Sequence, residues 1–455
     1  MLNNTIEYLA RCFVVITCFC ASLLIMQNDV VDGYEYSVYM PILYMLSFLM
    51  LFKGRVSKDR PIFFIIFFGV GFIRYVLFPL LVSEFQGYSG RSPLEPSIHS
   101  YNTAIGLMCY ELIVVTVFML CVEYKKGRNK IIEKTNLSFN PLFSLLIFLT
   151  SLLLLFIYPD ALGLISFVLP STEKMEASLS VKIIVLFFIV VKQIFFMTLI
   201  YLLSLRYRRS GAVSLLWVSL LLVVINTLIY FGTNRIDILL TGIVSFIFLV
   251  KLFGRKAIKY VVLLIPVLIS ALVIITSYRG YVDAGVEGKV QDYSQVYFGG
   301  VYNVAIGAEV PIYTPEAENI EVLFFDFIRP MVGVSLLIKD LDIKYSNEYF
   351  NERMWVGGDR MSQIIPMIAQ GYLFFGFVFA PLLSIIFVVI YYMNEKLLLL
   401  VSYIEIKYFI VLVMARQGFL MGQNSMNLIN DMSLNFFMVF FVYLAFILTR
   451  VFVRK

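Results

Sequence analysis

Long apolar runs of about 17 to 25 residues recur along this chain, the length an α-helix needs to cross some 30 Å of hydrocarbon. No other feature limits the fold so strongly. The runs cover residues 9–26, 36–52, 61–82, 103–122, 141–158, 181–205, 213–231, 236–250, 257–276, 364–393, 403–421 and 432–450. They predict an all-α polytopic membrane protein with about twelve spanning helices. Glu405 and Lys407 interrupt the eleventh run, so a count of about eleven is the alternative. Composition excludes a soluble fold: 61% of the residues are hydrophobic and 15% charged, too few charges to cover a soluble surface.

The net charge of +6 reflects orientation rather than nucleic-acid binding. Basic residues gather in alternate short loops: Lys53, Arg55, Lys58 and Arg60, then Lys125, Lys126, Arg128, Lys130 and Lys134. Arg206, Arg208 and Arg209 mark a third such loop, and Lys251, Arg255, Lys256 and Lys259 a fourth. The loops between them hold Asp29, Asp32 and Glu35, or Asp160, Glu173 and Glu176. By the positive-inside rule both termini are cytoplasmic and the acidic loops face out. Cys12, Cys18, Cys20, Cys109 and Cys121 all lie in apolar runs, which gives neither a disulfide framework nor a CxxC metal site. The first run lacks a basic leader and a small-x-small cleavage site, so it reads as a retained helix.

One loop is long. The chain divides into nine helices over residues 1–276, an outward loop over 277–363, and three more helices over 364–455. Within the loop, residues 322–328 and 332–338 are apolar but too short to span, as expected of amphipathic helices lying on the membrane or capping a cavity. A loop of this length with structure of its own is usually functional. Residues 162–170 form a shorter stretch of the same kind, and no internal repeat is evident.

Charges inside apolar runs are the first functional candidates: Arg74, Glu111 and Lys192. They form either a buried ion pair, Arg74 or Lys192 with Glu111, or part of a substrate cavity. Arginines at the outer face are the second group: Arg235, Arg279, Arg329, Arg353, Arg360 and Arg416. Orientation statistics predict few arginines there. Recognition of an anionic group explains them, since guanidinium grips phosphate oxygens bidentately and stays charged. Ion pairing with Asp237, Asp283, Asp326 and Asp359 is the plainer explanation. The single histidine, His99, lies in an outward loop, and no P-loop, dinucleotide fingerprint or HExxH is present. Gly357-Gly358-Asp359-Arg360 is either a phosphate-cradling turn or a simple turn into the following helix.

Four stretches taken in order resemble the bacterial oligosaccharide repeat-unit polymerases, the Wzy-type O-antigen and enterobacterial common antigen polymerases. These are Gly232-Thr233-Asn234-Arg235, Tyr278-Arg279-Gly280, the 356–376 segment VGGDRMSQIIPMIAQGYLFFG, and Ala415-Arg416-Gln417-Gly418-Phe419. The resemblance covers roughly residues 225–450, and the first half by topology only. It implies a GT-C-like glycosyltransferase bundle in the bacterial inner membrane, working at the periplasmic face on undecaprenyl-diphosphate-linked oligosaccharides. The growing chain would pass from its lipid diphosphate to a new lipid-linked repeat unit. Partners would be those lipids, the bilayer and a chain-length regulator, with no metal or cofactor.

Carried onto this chain, the resemblance makes Arg235, Arg279 and Arg416 the catalytic arginines, stabilising the departing diphosphate. Arg74, Arg329, Arg360, Asp283 and Asp359 are substrate-binding candidates, and Asp283, Asp292, Glu309, Asp326 and Asp359 are candidate general bases. An O-antigen ligase and a lipid-linked oligosaccharide flippase or other transporter are the alternatives. The ligases carry an important histidine in the large loop, where this chain has none. A transporter would not need so large a one-sided loop. A scaffold protein would leave the outer arginines unexplained.

Overall fold

A computed structural model describes residues 2–29, 31–52, 62–86, 95–125, 137, 140–167, 178–231, 235–262, 266, 270, 298–334, 338, 341, 343–356 and 363–453. Apart from one antiparallel strand pair, Ile165–Phe167 with Ile229–Phe231, the described elements are helices. Six are long and apolar enough to cross a membrane: Tyr8–Gln27, Ile62–Glu84, Ile98–Val122, Ser180–Ser210, Leu382–Leu400 and Ser425–Leu448. The chain is therefore multi-pass by length and composition. Shorter apolar helices, Tyr39–Leu51, Pro141–Ile157, Val213–Leu228, Ile238–Phe253 and Met367–Phe379, accompany them.

Compactness divides the chain differently from its linear order. One unit gathers residues 1–130, 286–395 and 414–433, and the other 131–285, 396–413 and 434–455. In the second unit, helix ends carry conventional signals. Asn140 caps Pro141–Ile157 by accepting from the Leu142 N–H at 3.0 Å. The helix Leu179–Ser210 starts after Ser178 and ends in a left-handed Gly211, with Arg208 and Arg209 beside its last carbonyls. These two helices pack through Phe148 and Phe195, stacked at 4.4 Å. Lys192 lies buried here, donating to the carbonyls of Asn226 and Ile229 at 2.6 and 2.5 Å. Those acceptors lie where the helix Val213–Leu228 gives way to the strand, so the backbone there has carbonyls to spare.

The first unit holds the helices Leu2–Gln27, Tyr39–Leu51, Ile98–Lys125 and Leu382–Leu400. It also holds a span interrupted by a single π-turn, Ile73–Leu77, which carries Arg74. The 364–393 run, expected as one span, is two helices. Met367–Phe379 breaks at Gly376, where φ is +66°, and Leu382–Leu400 follows. Pro381 lacks the N–H that would continue the first helix, and Gly376 adopts a backbone that other residues resist. Gly371 permits the fold-back: a Cβ there would lie 1.9 Å from the Ala380 carbonyl oxygen. The last apolar helix starts earlier than its run, at Ser425. Most of the 257–276 run lies outside the described residues.

Candidate functional site

The long loop supplies three described helices to the first unit, Val301–Tyr313, Ile320–Ile328 and Ser346–Met354. The 322–328 expectation corresponds to the second of these. Of 332–338, residues 335–337 lie outside the described residues. The first was not foreseen. All ten residues from Val301 to Val310 are buried, including Asn303 and Glu309. Small residues allow it: a Cβ on Gly307 would meet the Ala369 Cβ at 2.5 Å, so the helix lies tightly against Met367–Phe379.

Both ends of Val301–Tyr313 are tied by charge. Just before its start, the Gly299 carbonyl accepts from Arg74 Nε at 3.1 Å and Nη2 at 2.9 Å. The remaining nitrogen, Nη1, stands 3.7 Å from Glu111 Oε2, and both side chains are wholly buried. Glu111 Oε1 accepts from the Ser384 hydroxyl. Near the other end, Glu309 Oε1 accepts from the Ser97 N–H at 2.9 Å and the Ser100 hydroxyl at 2.8 Å. Its Oε2 takes a bidentate grip from Arg353, at 3.1 Å from Nε and 2.6 Å from Nη2. The Arg353 guanidinium also lies 3.6 Å from the Tyr313 ring centre. Ser97 and Ser100 stand at the start of the helix Ile98–Lys125 and Glu111 near its middle. The loop helix is thus pinned along half the length of a membrane-crossing helix.

A second clasp is built on Asp326 and Gln370. Asp326 Oδ1 accepts from the Ser346 N–H at 3.2 Å, and Oδ2 from Gln370 Nε2 at 2.6 Å. Gln370 also donates to the Ser425 hydroxyl at 2.8 Å and accepts from the Ser425 N–H at 2.9 Å. One amide therefore serves the first N–H of one helix and the carboxylate that serves the first N–H of another. Burial pushes the Asp326 carboxyl up from 3.8 to about 6, against the donors from Ser346 and Gln370 that hold it down.

Beside this clasp lies an apolar groove of about 410 Å³, lined by Ile320, Glu321, Phe324, Phe325 and Ile343. Arg329 is bonded to one of these residues: its Nη1 donates to the Ile343 carbonyl at 3.3 Å. The guanidinium stacks on the Tyr345 ring at 4.4 Å. An apolar trough with a planar cation bonded to its lining suits an amphiphile with an anionic head.

Of the residues singled out in the sequence, Arg74 and Glu111 come together and Arg329 is bonded to the groove residue Ile343. Arg353 is committed to Glu309. Arg416 pairs with Asp431, a partner that spacing did not single out. Arg235 opens the helix Arg235–Phe253, and its side chain lies outside the described residues. Arg279, Arg360, Asp283, Asp292 and Asp359 lie outside them too. His99 is exposed. Ser97, Ser100, Tyr345 and Gln370 were missed, because isolated polar residues carry no periodic signal. Among the described residues no group of three or more His, Cys, Asp or Glu side chains is placed to hold a metal. No family model, curated protein or solved structure matches this chain.

Proposed function

We propose that this chain is a membrane-embedded polymerase of undecaprenyl-diphosphate-linked oligosaccharide repeat units, built as a GT-C-like bundle of about twelve spans. In this reading it sits in the bacterial inner membrane with both termini cytoplasmic and its long loop in the periplasm. The observation that carries the reading is the apolar groove whose lining residue Ile343 is bonded to Arg329, within a loop clasped into the membrane bundle. Such a groove takes a lipid chain, and the guanidinium takes the phosphate that follows it.

The reaction needs little more than orientation and charge. A sugar hydroxyl of the incoming repeat unit attacks the anomeric carbon of the growing chain. A C–O bond forms as the bond to the lipid diphosphate breaks, and the diphosphate leaves with the electron pair. Arginines aimed at its oxygens stabilise that charge, the role assigned to Arg235, Arg279 and Arg416. The hydroxyl proton goes to a carboxylate. Glu309 and Asp326 are committed to their clasps, which leaves Asp283, Asp292 and Asp359 as candidates.

The test is the size distribution of surface glycan and lipid-linked precursor in a deletion strain, complemented with the parent, Arg279→Ala or Arg329→Ala. Polymerisation predicts that long chains vanish without the gene while single units still reach the acceptor, and that neither variant restores them. Long lipid-linked chains that are never attached identify a ligase instead. Single units trapped on the cytoplasmic leaflet identify a flippase.

A further inference from the structure

The helix Ile320–Ile328 has two apolar faces, and one of them has no cover within the described residues. Val322 and Phe325 face the protein, together with Asp326. Ile320 and Phe324, one turn apart, are 71% and 60% exposed. Across the short turn Pro315–Glu318, Ile312 and Tyr313 end the preceding helix and are 66% and 60% exposed. Glu316 and Glu318 are exposed in the turn between them, and Glu321 is exposed in the first turn of the second helix. This is the pattern of an interfacial element, with a wet tip and an apolar flank.

Depth is set independently. Glu309, one turn before Tyr313, is bonded to Ser97 and Ser100 at the start of the span Ile98–Val122. Glu309 therefore stands level with the end of a helix that crosses the hydrocarbon, with Tyr313 one turn further along, and Ile98 at that end is itself exposed. The apolar flank continues the lipid-facing surface of the span. We propose that the elbow made by Ile312, Tyr313, Ile320 and Phe324 is a membrane anchor, seated at the boundary between headgroups and acyl chains. The anchor does not depend on the glycan chemistry proposed above. Ile320 and Phe324 also line the groove beside Arg329, so the anchor opens that groove directly onto the bilayer, where an amphiphile arrives by lateral diffusion.

The experiment uses the full chain in vesicles of dioleoyl phosphatidylcholine, with and without bromine on the acyl chains. Ile320→Trp, Phe324→Trp and Glu316→Trp are compared with the parent, each read as the emission added to that of Trp217 and Trp355. The expected result is blue-shifted added emission at positions 320 and 324, lost in the brominated vesicles and insensitive to aqueous iodide. Position 316 should show the reverse. Quenching of 320 and 324 by iodide to the extent seen at 316 overturns the anchor. So does emission shielded from both quenchers, which marks a protein surface such as a second copy of the chain.

Discussion

The helix Ile98–Lys125 and the pair Met367–Phe379 and Leu382–Leu400 start from the same kind of sequence, a long apolar run, and end differently. The first continues unbroken for 28 residues. The second turns at Gly376 and doubles back onto Gly371. The broken pair docks on the unbroken helix. Tyr110 donates to the Val378 carbonyl at 3.0 Å, and its ring stacks on Phe377. Hydropathy measures the solubility of a segment in lipid and is blind to where its backbone bends. A bend at that depth survives because protein groups satisfy it, here the Tyr110 hydroxyl.

The largest effect should come from Glu111, which ties the straight helix to both the broken pair and the buried loop helix. Glu111→Ala leaves Arg74 buried without its counter-charge, which costs about 3–5 kcal/mol. The expected readout is a large drop in unfolding midpoint, most of it recovered in Arg74→Met/Glu111→Leu, since an apolar pair can replace a buried ionic one. A single variant as stable as the parent would refute the coupling.

Next in size is the Asp326 clasp on the broken side. Its carboxyl titrates at about 6 in the folded chain against an ordinary 3.8, so the native state holds the proton more tightly. The associated stability is complete below the lower value and is lost as pH rises through about 6. The difference amounts to about 3 kcal/mol. Unfolding midpoints measured from pH 4 to 8 should fall across that window in the parent and stay flat in Asp326→Asn. An unchanged slope in the variant would place the titration elsewhere.

The smallest effects come from a matched pair of glycines. Gly371→Ala drives a Cβ against the Ala380 backbone and should cost about 1–3 kcal/mol. Gly106→Ala in the straight helix meets the Phe377 ring at an ordinary 3.8 Å, and should stabilise by about 0.4–1 kcal/mol through the unfolded chain. Equal midpoints for the two variants would mean that the fold-back at Gly371 is not present in the membrane.

Much of the candidate site was legible only as ingredients. Arg74 and Glu111 stood out because charge in an apolar run is expensive, yet nothing in the spacing chose Glu111 for Arg74 over Lys192. Lys192 is satisfied by backbone carbonyls instead. Arg353 and Arg329 were noticed as outer arginines, and the structure sends one to Glu309 and the other to a groove. Gln370 was invisible, although a single amide there joins Asp326 to Ser425.

By itself the sequence determined that the chain is helical, apolar and of membrane-crossing segment length, because the transfer of side chains from water to lipid is a sum over local residues. Gly376 and Pro381 mark the break in the 364–393 run locally, while tertiary structure alone decided how closely it folds back, that Val301–Tyr313 is buried, and which charges meet. Those outcomes depend on close approach at Gly307 and Gly371 and on partners distant in sequence, and a sum over local residues contains neither.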